Sequence, residues 1–312
     1  MKAGGTPVVA TASLDRRHYL SAAAGYGTLA IVFLVIGILY FSSARDLYAT
    51  WTGSVSYNHC LLVFPVTIWF LWRLRGETHA APFEPWPFAL NFVFAASMVW
   101  LAGTLGDLKS LRDLALVLFV PSILSCLLGK RFFSAALFPL AFTIFAWPFG
   151  EIFVPIMMDW TADFTIAALR ATAVPVFREG NNFVIPTGEW SVVEECSGIR
   201  YLMASLSAGA FYAYLNFRSS ARRAVFIGIA LVVPIVANWF RAYFTVLLGH
   251  LSDNTIATGF DHLVYGWVFF GVVMFGVFMI GARMADGPPE LPSVTLGGTP
   301  QFSRTLFPFA GA

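Results

Sequence analysis

The strongest constraint on this chain is the way apolar runs alternate with short basic clusters. Runs lie at about 25–42, 58–72, 88–105, 113–129, 132–149, 196–216, 224–248 and 262–282. They approach or reach the roughly 20 residues a helix needs to cross a bilayer. Lipid offers no partner for backbone N–H and C=O groups, so such runs must close their own hydrogen bonds as helices. Only 12% of the 312 residues are charged and 58% are hydrophobic, whereas a soluble domain is about a quarter charged. The chain therefore reads as an all-α, polytopic membrane protein with about eight transmembrane helices.

Charge placement orients the spans. Arg16-Arg17, Arg73 and Arg75, Lys130-Arg131, the group Arg218, Arg222 and Arg223, and Arg283 border alternate spans. The positive-inside rule puts these clusters in the cytoplasm, and both termini with them. The division expected is a cytoplasmic segment at 1–24, a membrane domain at 25–284 and a cytoplasmic, disordered tail at 285–312. The polar N-terminus lacks the pattern of a cleaved leader, so the first run is expected to remain as an anchor. A net charge of +2 gives no ground for a nucleic-acid partner; the lipid bilayer is the partner that composition demands.

Residues 150–195 break the rhythm of spans. At 152–172, apolar positions recur at helical spacing with Glu151, Asp159, Asp163 and Arg170 interspersed. This predicts an amphipathic helix at the outer surface. The extended stretches 182–185 and 189–194 flank Thr187-Gly188 and predict a short hairpin before the sixth span.

Next comes the octet Glu194-Glu195-Cys196-Ser197-Gly198-Ile199-Arg200-Tyr201, a charged stretch at the mouth of an apolar run. Cys196 and Arg200 are four apart and share a helical face. A guanidinium beside a thiol favours the reactive thiolate. Under the threading above, Cys196 opens the sixth span, Arg241 lies in the outer part of the seventh and His262 opens the eighth. All three reach similar depth on the outer side. Asn238 precedes Arg241 by one turn, and an amide with a cation on one face suits a carbonyl or oxyanion.

Each residue also has a plainer reading: Cys196 as a small packing residue, Arg241 as a side chain snorkelling to head groups, His262 as structural. Together they supply nucleophile, oxyanion stabiliser and acid/base, the set for acyl transfer through a thioester. No cofactor or metal is expected. The three cysteines Cys60, Cys126 and Cys196 form no Cys-x-x-Cys, and no glycine-rich phosphate loop precedes a helix.

Glu-Glu-Cys-Ser-Gly-Ile-Arg at 194–200, Asn-x-x-Arg at 238–241 and His-x-x-x-Gly-Trp at 262–267 resemble the exosortase/archaeosortase family, most closely its exosortase A branch. The similarity runs from about Pro148 through Trp267. It implies a membrane cysteine protease and transpeptidase in a bacterial inner membrane, linked to exopolysaccharide production. Its partners would be membrane-anchored proteins with a C-terminal Pro-Glu-Pro signal, a transmembrane span and a basic tail. By position the resemblance makes Cys196 the nucleophile, His262 the proton-transfer residue and Arg241 the oxyanion stabiliser. Glu195, Arg200, Asn238 and Gly266 would support them or bind substrate. His59-Cys60 stands where the family often has His-Gly. The rival readings are a transporter with Arg241 lining a polar path, or a polysaccharide-assembly scaffold without chemistry.

Overall fold

A computed structural model describes residues 8–74, 84–252 and 260–286, with side chains described from residue 24 in the first helix and from residue 266 in the last. Most of the expected tail, and Arg75, lie outside the described residues.

The N-terminal half is a helical stack. Helix α1 (Val8–Leu39) begins well before the apolar run it contains, and bends by 83° into α2 (Phe41–Gly53). Helix α3 (Cys60–Arg73) follows a tight turn, and α4 (Leu90–Leu105) packs along α5 (Lys109–Ala135). Inside α5 the backbone breaks at Gly129, whose φ is 92°. Only glycine takes that conformation without penalty. The break admits the loop before α4, where the Trp86 N–H donates to the Cys126 carbonyl at 2.8 Å. It falls where the sequence places the boundary between the fourth and fifth runs.

Five described helical segments are long and apolar enough to cross a membrane, or six if the bent α1–α2 pair counts as one span. The expectation of about eight rests partly on shorter pieces. The second run yields only the 14 residues of α3, with Pro65 inside it. The fifth yields a short helix, Leu137–Ala146, that contains Pro139 and begins as α6 (Leu137–Phe142). The stretch 152–172, read as an amphipathic surface helix, falls in a 3₁₀ turn at Phe149–Phe153 that leads into α7 (Val154–Ala171), and the combined segment Phe149–Ala171 is also long and apolar enough to count among the five.

Between α7 and the next helix the chain forms a three-stranded antiparallel sheet: β1 (Phe177–Glu179), β2 (Asn182–Ile185) and β3 (Gly188–Ser191). The expected hairpin is β2–β3, with Ile185 opposite Gly188 across Pro186-Thr187. The sequence reading missed β1, which pairs Phe177 with Val184. Its turn, Gly180-Asn181, has Gly180 at φ 62°, as tight hairpin turns require. Phe183 and Ile185 turn inward onto Ile166 and Leu169 of α7 and Tyr243 and Val246 of a later helix. Arg178 pairs with Asp163, pinning the sheet to α7. Cys196 packs against this same apolar cluster.

Three helices complete the chain: α8 (Ile199–Asn216), α9 (Ser220–Leu251) and α10 (Phe260–Met284). Helix α9 packs on both α7 and α8, and α10 packs on α9. At the end away from the sheet, Arg222 at the start of α9 pairs with Asp286 just after α10.

Candidate active site

The site is built around the break between the sheet and α8. Glu194–Cys196 form one 3₁₀ turn, and the Ser197 N–H donates to the Glu194 carbonyl at 3.0 Å. Gly198 then takes φ 84° and ends the turn, and α8 starts at Ile199. A side chain at 198 is excluded twice over. The left-handed backbone disfavours it, and a Cβ there would lie 2.6 Å from Cγ of Asn238. Glycine therefore lets α9 come up against the turn that carries the cysteine.

Asn238 uses that approach. It is 1% exposed, and its Nδ2 donates to the Cys196 carbonyl at 2.9 Å. A longer contact, 3.4 Å, reaches Oγ1 of Thr161 on α7. Its Oδ1 accepts from Arg241 twice, from Nε at 3.2 Å and Nη2 at 3.1 Å. One buried amide thus ties the cysteine backbone, α7 and the arginine together. Buried polar groups are costly unless paired, so this network fixes its members.

Arg241 is half-buried, and its Cζ lies 5.3 Å from the ring centroid of Tyr201. That ring stacks on Phe270 of α10 at 4.8 Å. Gly266, one turn earlier on α10, is buried; a Cβ on it would stand 2.6 Å from the Tyr201 hydroxyl and 4.0 Å from Arg241 Nη1. His262 lies four residues before Gly266, on the same face of α10; its side chain is outside the described residues.

The sulfur atoms occupy different settings. Cys60 is fully buried and donates to the Phe145 carbonyl at 3.3 Å, with His59 Nε2 at 3.7 Å. Cys196 is half-buried, at the mouth of α8. His59, in the turn ahead of α3, is pushed by burial down to about 4, so its ring is neutral at pH 7. Tyr57 in the same turn is held well above its usual range, by burial first and then by the negative charges of Glu151 and Glu194. That turn therefore lies within electrostatic reach of the Cys196 loop.

Of the residues singled out in sequence, the structure brings Cys196, Asn238, Arg241 and Gly266 into one continuous set of contacts. Glu195 is exposed beside Cys196. Arg200 is half-buried with its Cζ 5.9 Å from the Tyr201 ring, and no carboxylate pairs with it among the described residues. Thr161, Tyr201 and Phe270 were missed as site residues. Tyr201 closes the charged octet and Phe270 follows Gly266 by one turn, but nothing in their residue types separates them from core. Among the described residues, no group of three or more His, Cys, Asp or Glu side chains could hold a metal ion.

These features define a multi-pass membrane protein in which one buried amide links the backbone of a cysteine to a guanidinium. The sequence model of the transmembrane exosortase family matches residues 51–279, and the chain belongs to that family. The matched region contains every site residue named above. Comparisons with curated proteins and with solved structures returned no match.

Proposed function

We propose that this exosortase-family chain is a membrane-embedded cysteine protease and transpeptidase acting at the outer face of a bacterial inner membrane. The observation that carries this reading is the Asn238 bridge, which binds the Cys196 carbonyl on one side and the Arg241 guanidinium on the other. A nucleophile and an oxyanion donor must keep fixed relative positions, and groups preorganised in this way act on the transition state without reorganising.

In this mechanism the Cys196 thiolate attacks the scissile carbonyl carbon. The C–S bond forms, and the carbonyl electron pair moves to oxygen, where the remaining Arg241 N–H groups stabilise it. The intermediate collapses by expelling the amine, which takes its proton from His262. A thioester is left on Cys196. An acceptor then attacks it with His262 as base, releasing the thiolate. The acceptor is water in proteolysis and a cell-surface group in transfer. Substrates of this reading are exported proteins with a C-terminal Pro-Glu-Pro segment, a membrane span and a basic tail. Both termini of the enzyme would be cytoplasmic.

The test is co-expression with a Pro-Glu-Pro-tagged reporter, scored for loss of its C-terminal span. Cys196→Ala should abolish processing at normal protein level. Unchanged processing would mean that Cys196 is not the nucleophile, and a wild-type protein that processes no reporter would favour a transporter or a non-catalytic scaffold.

A further inference from the structure

Arg241 is held in two ways. A guanidinium has five N–H donors in a planar fork. Nε and one hydrogen of Nη2 are engaged by Asn238 Oδ1, which fixes the fork within its own plane. Nothing in that bond stops the plane from rocking. The Tyr201 ring does so, with its centroid 5.3 Å from Cζ, in the range of a cation–π contact.

Tyr201 is in turn set by α10. Its ring stacks on Phe270 with an interplanar angle of 29°, and its hydroxyl abuts Gly266 with no space for a methyl group. Two residues one turn apart on α10 therefore dictate where the ring stands. The same helix carries His262 in its first turn.

We propose that Tyr201 is a positioning residue for Arg241, seated on Gly266 and Phe270, and that it keeps the arginine in register with the helix bearing His262. This rests on the protease reading above. Tyr201 need not touch substrate; it acts through the guanidinium. The glycine of His-x-x-x-Gly-Trp is then required because a tyrosine hydroxyl occupies the space a side chain would need.

The contact supports a rescue experiment. In Gly266→Ala the new methyl would stand 2.6 Å from the Tyr201 hydroxyl oxygen, while the next tyrosine atom, Cζ, is at 3.9 Å, an ordinary contact distance. Removing that oxygen removes the clash. Misplacing a catalytic group by about 1 Å costs up to about 100-fold in rate. Gly266→Ala should therefore lower kcat for reporter processing by at least about tenfold with KM nearly unchanged, as expected when only transition-state contacts are lost. The double variant Tyr201→Phe with Gly266→Ala should return to the rate of Tyr201→Phe alone. A double variant as slow as Gly266→Ala would overturn the proposal.

Tyr201→Leu leaves Gly266 untouched and keeps the test decisive if Gly266→Ala does not accumulate. It should lower kcat without raising KM, and wild-type values for both would overturn the proposal. The thermal midpoint in detergent reads the contact without any reaction: it should fall in Gly266→Ala and recover in the double variant. Recovery of the midpoint without recovery of kcat would leave the packing correct and overturn the positioning role. A wild-type protein that processes no reporter, while the midpoint is rescued, would instead contradict the protease reading itself.

Discussion

At the scale of single residues, an amide and a guanidinium set the geometry of the site. Arg241→Lys keeps the charge but loses the fork that reaches Asn238 Oδ1 with two donors. Removing one oxyanion donor costs on the order of 10²–10³ in rate in other acyl-transfer enzymes. Arg241→Lys should insert normally and process reporter at least about tenfold more slowly; normal turnover would reduce Arg241 to a positive charge. By residue type alone, Asn238→Ala is the milder change of the two, because it removes a neutral partner rather than the charge. The structure alters that expectation. Asn238 is buried and serves Cys196, Thr161 and Arg241, and each buried group left unpaired costs about 1–3 kcal/mol. Asn238→Ala and Asn238→Asp should both lose most processing, since aspartate cannot donate to the Cys196 carbonyl. His59 allows a test by pH. Its ring is held near 4 when folded and sits at about 6.5 when unfolded. The unfolded chain therefore binds the proton first as pH drops. The stabilising contribution is complete above about pH 6.5 and is lost as pH falls through about 4. The thermal midpoint in detergent should decline over that window, and His59→Gln should flatten the decline; an equal slope in both proteins would contradict it. Cys196 and Arg241 stood out as candidates because charge and sulfur are rare in this chain. Tyr201 and Thr161 did not, because their roles come from neighbours more than thirty residues away.

At the scale of elements, the sheet and the Gly198 turn hold the cysteine in place. Phe183 is 2% exposed, in the cluster on which Cys196 packs. Replacing a buried phenylalanine by alanine costs about 3–5 kcal/mol. Phe183→Ala should lower the thermal midpoint and also slow processing, whereas Val184→Ala, on the outward face of the same strand, should do neither. Equal losses in both would mean the sheet acts by some route other than this cluster. The β2–β3 hairpin was visible in the sequence through its turn residues. β1 was not: Phe177-Arg178-Glu179 has no alternation of its own, and becomes a strand by pairing with β2 and by the Arg178–Asp163 ion pair. The break at Gly129 was legible for a different reason, since a basic pair follows directly and ends the apolar run.

At the scale of the whole molecule, hydropathy indicates the class, while among the described residues five helical segments, or six with the bent pair counted as one, are long and apolar enough to cross a membrane. A sliding reading sees apolar composition, but it does not see that α3 and the Leu137–Ala146 helix stop short of a bilayer's thickness. The orientation remains our proposal from the basic clusters. A phosphatase reporter fused after Thr172 should be active, and one fused after Arg223 should be silent. The reverse pattern would place the site on the cytoplasmic side.

The most direct test of the central claim compares three single substitutions on one reporter in intact cells. Cys196→Ala should leave the Pro-Glu-Pro-tagged protein unprocessed with its C-terminal span attached. Cys60→Ala and Cys126→Ala should both process it, since Cys60 is sealed against the Phe145 carbonyl and Cys126 lies within α5, away from the Asn238 network. Processing that survives in Cys196→Ala, or that is lost in Cys60→Ala at normal protein level, would contradict the assignment of Cys196 as nucleophile.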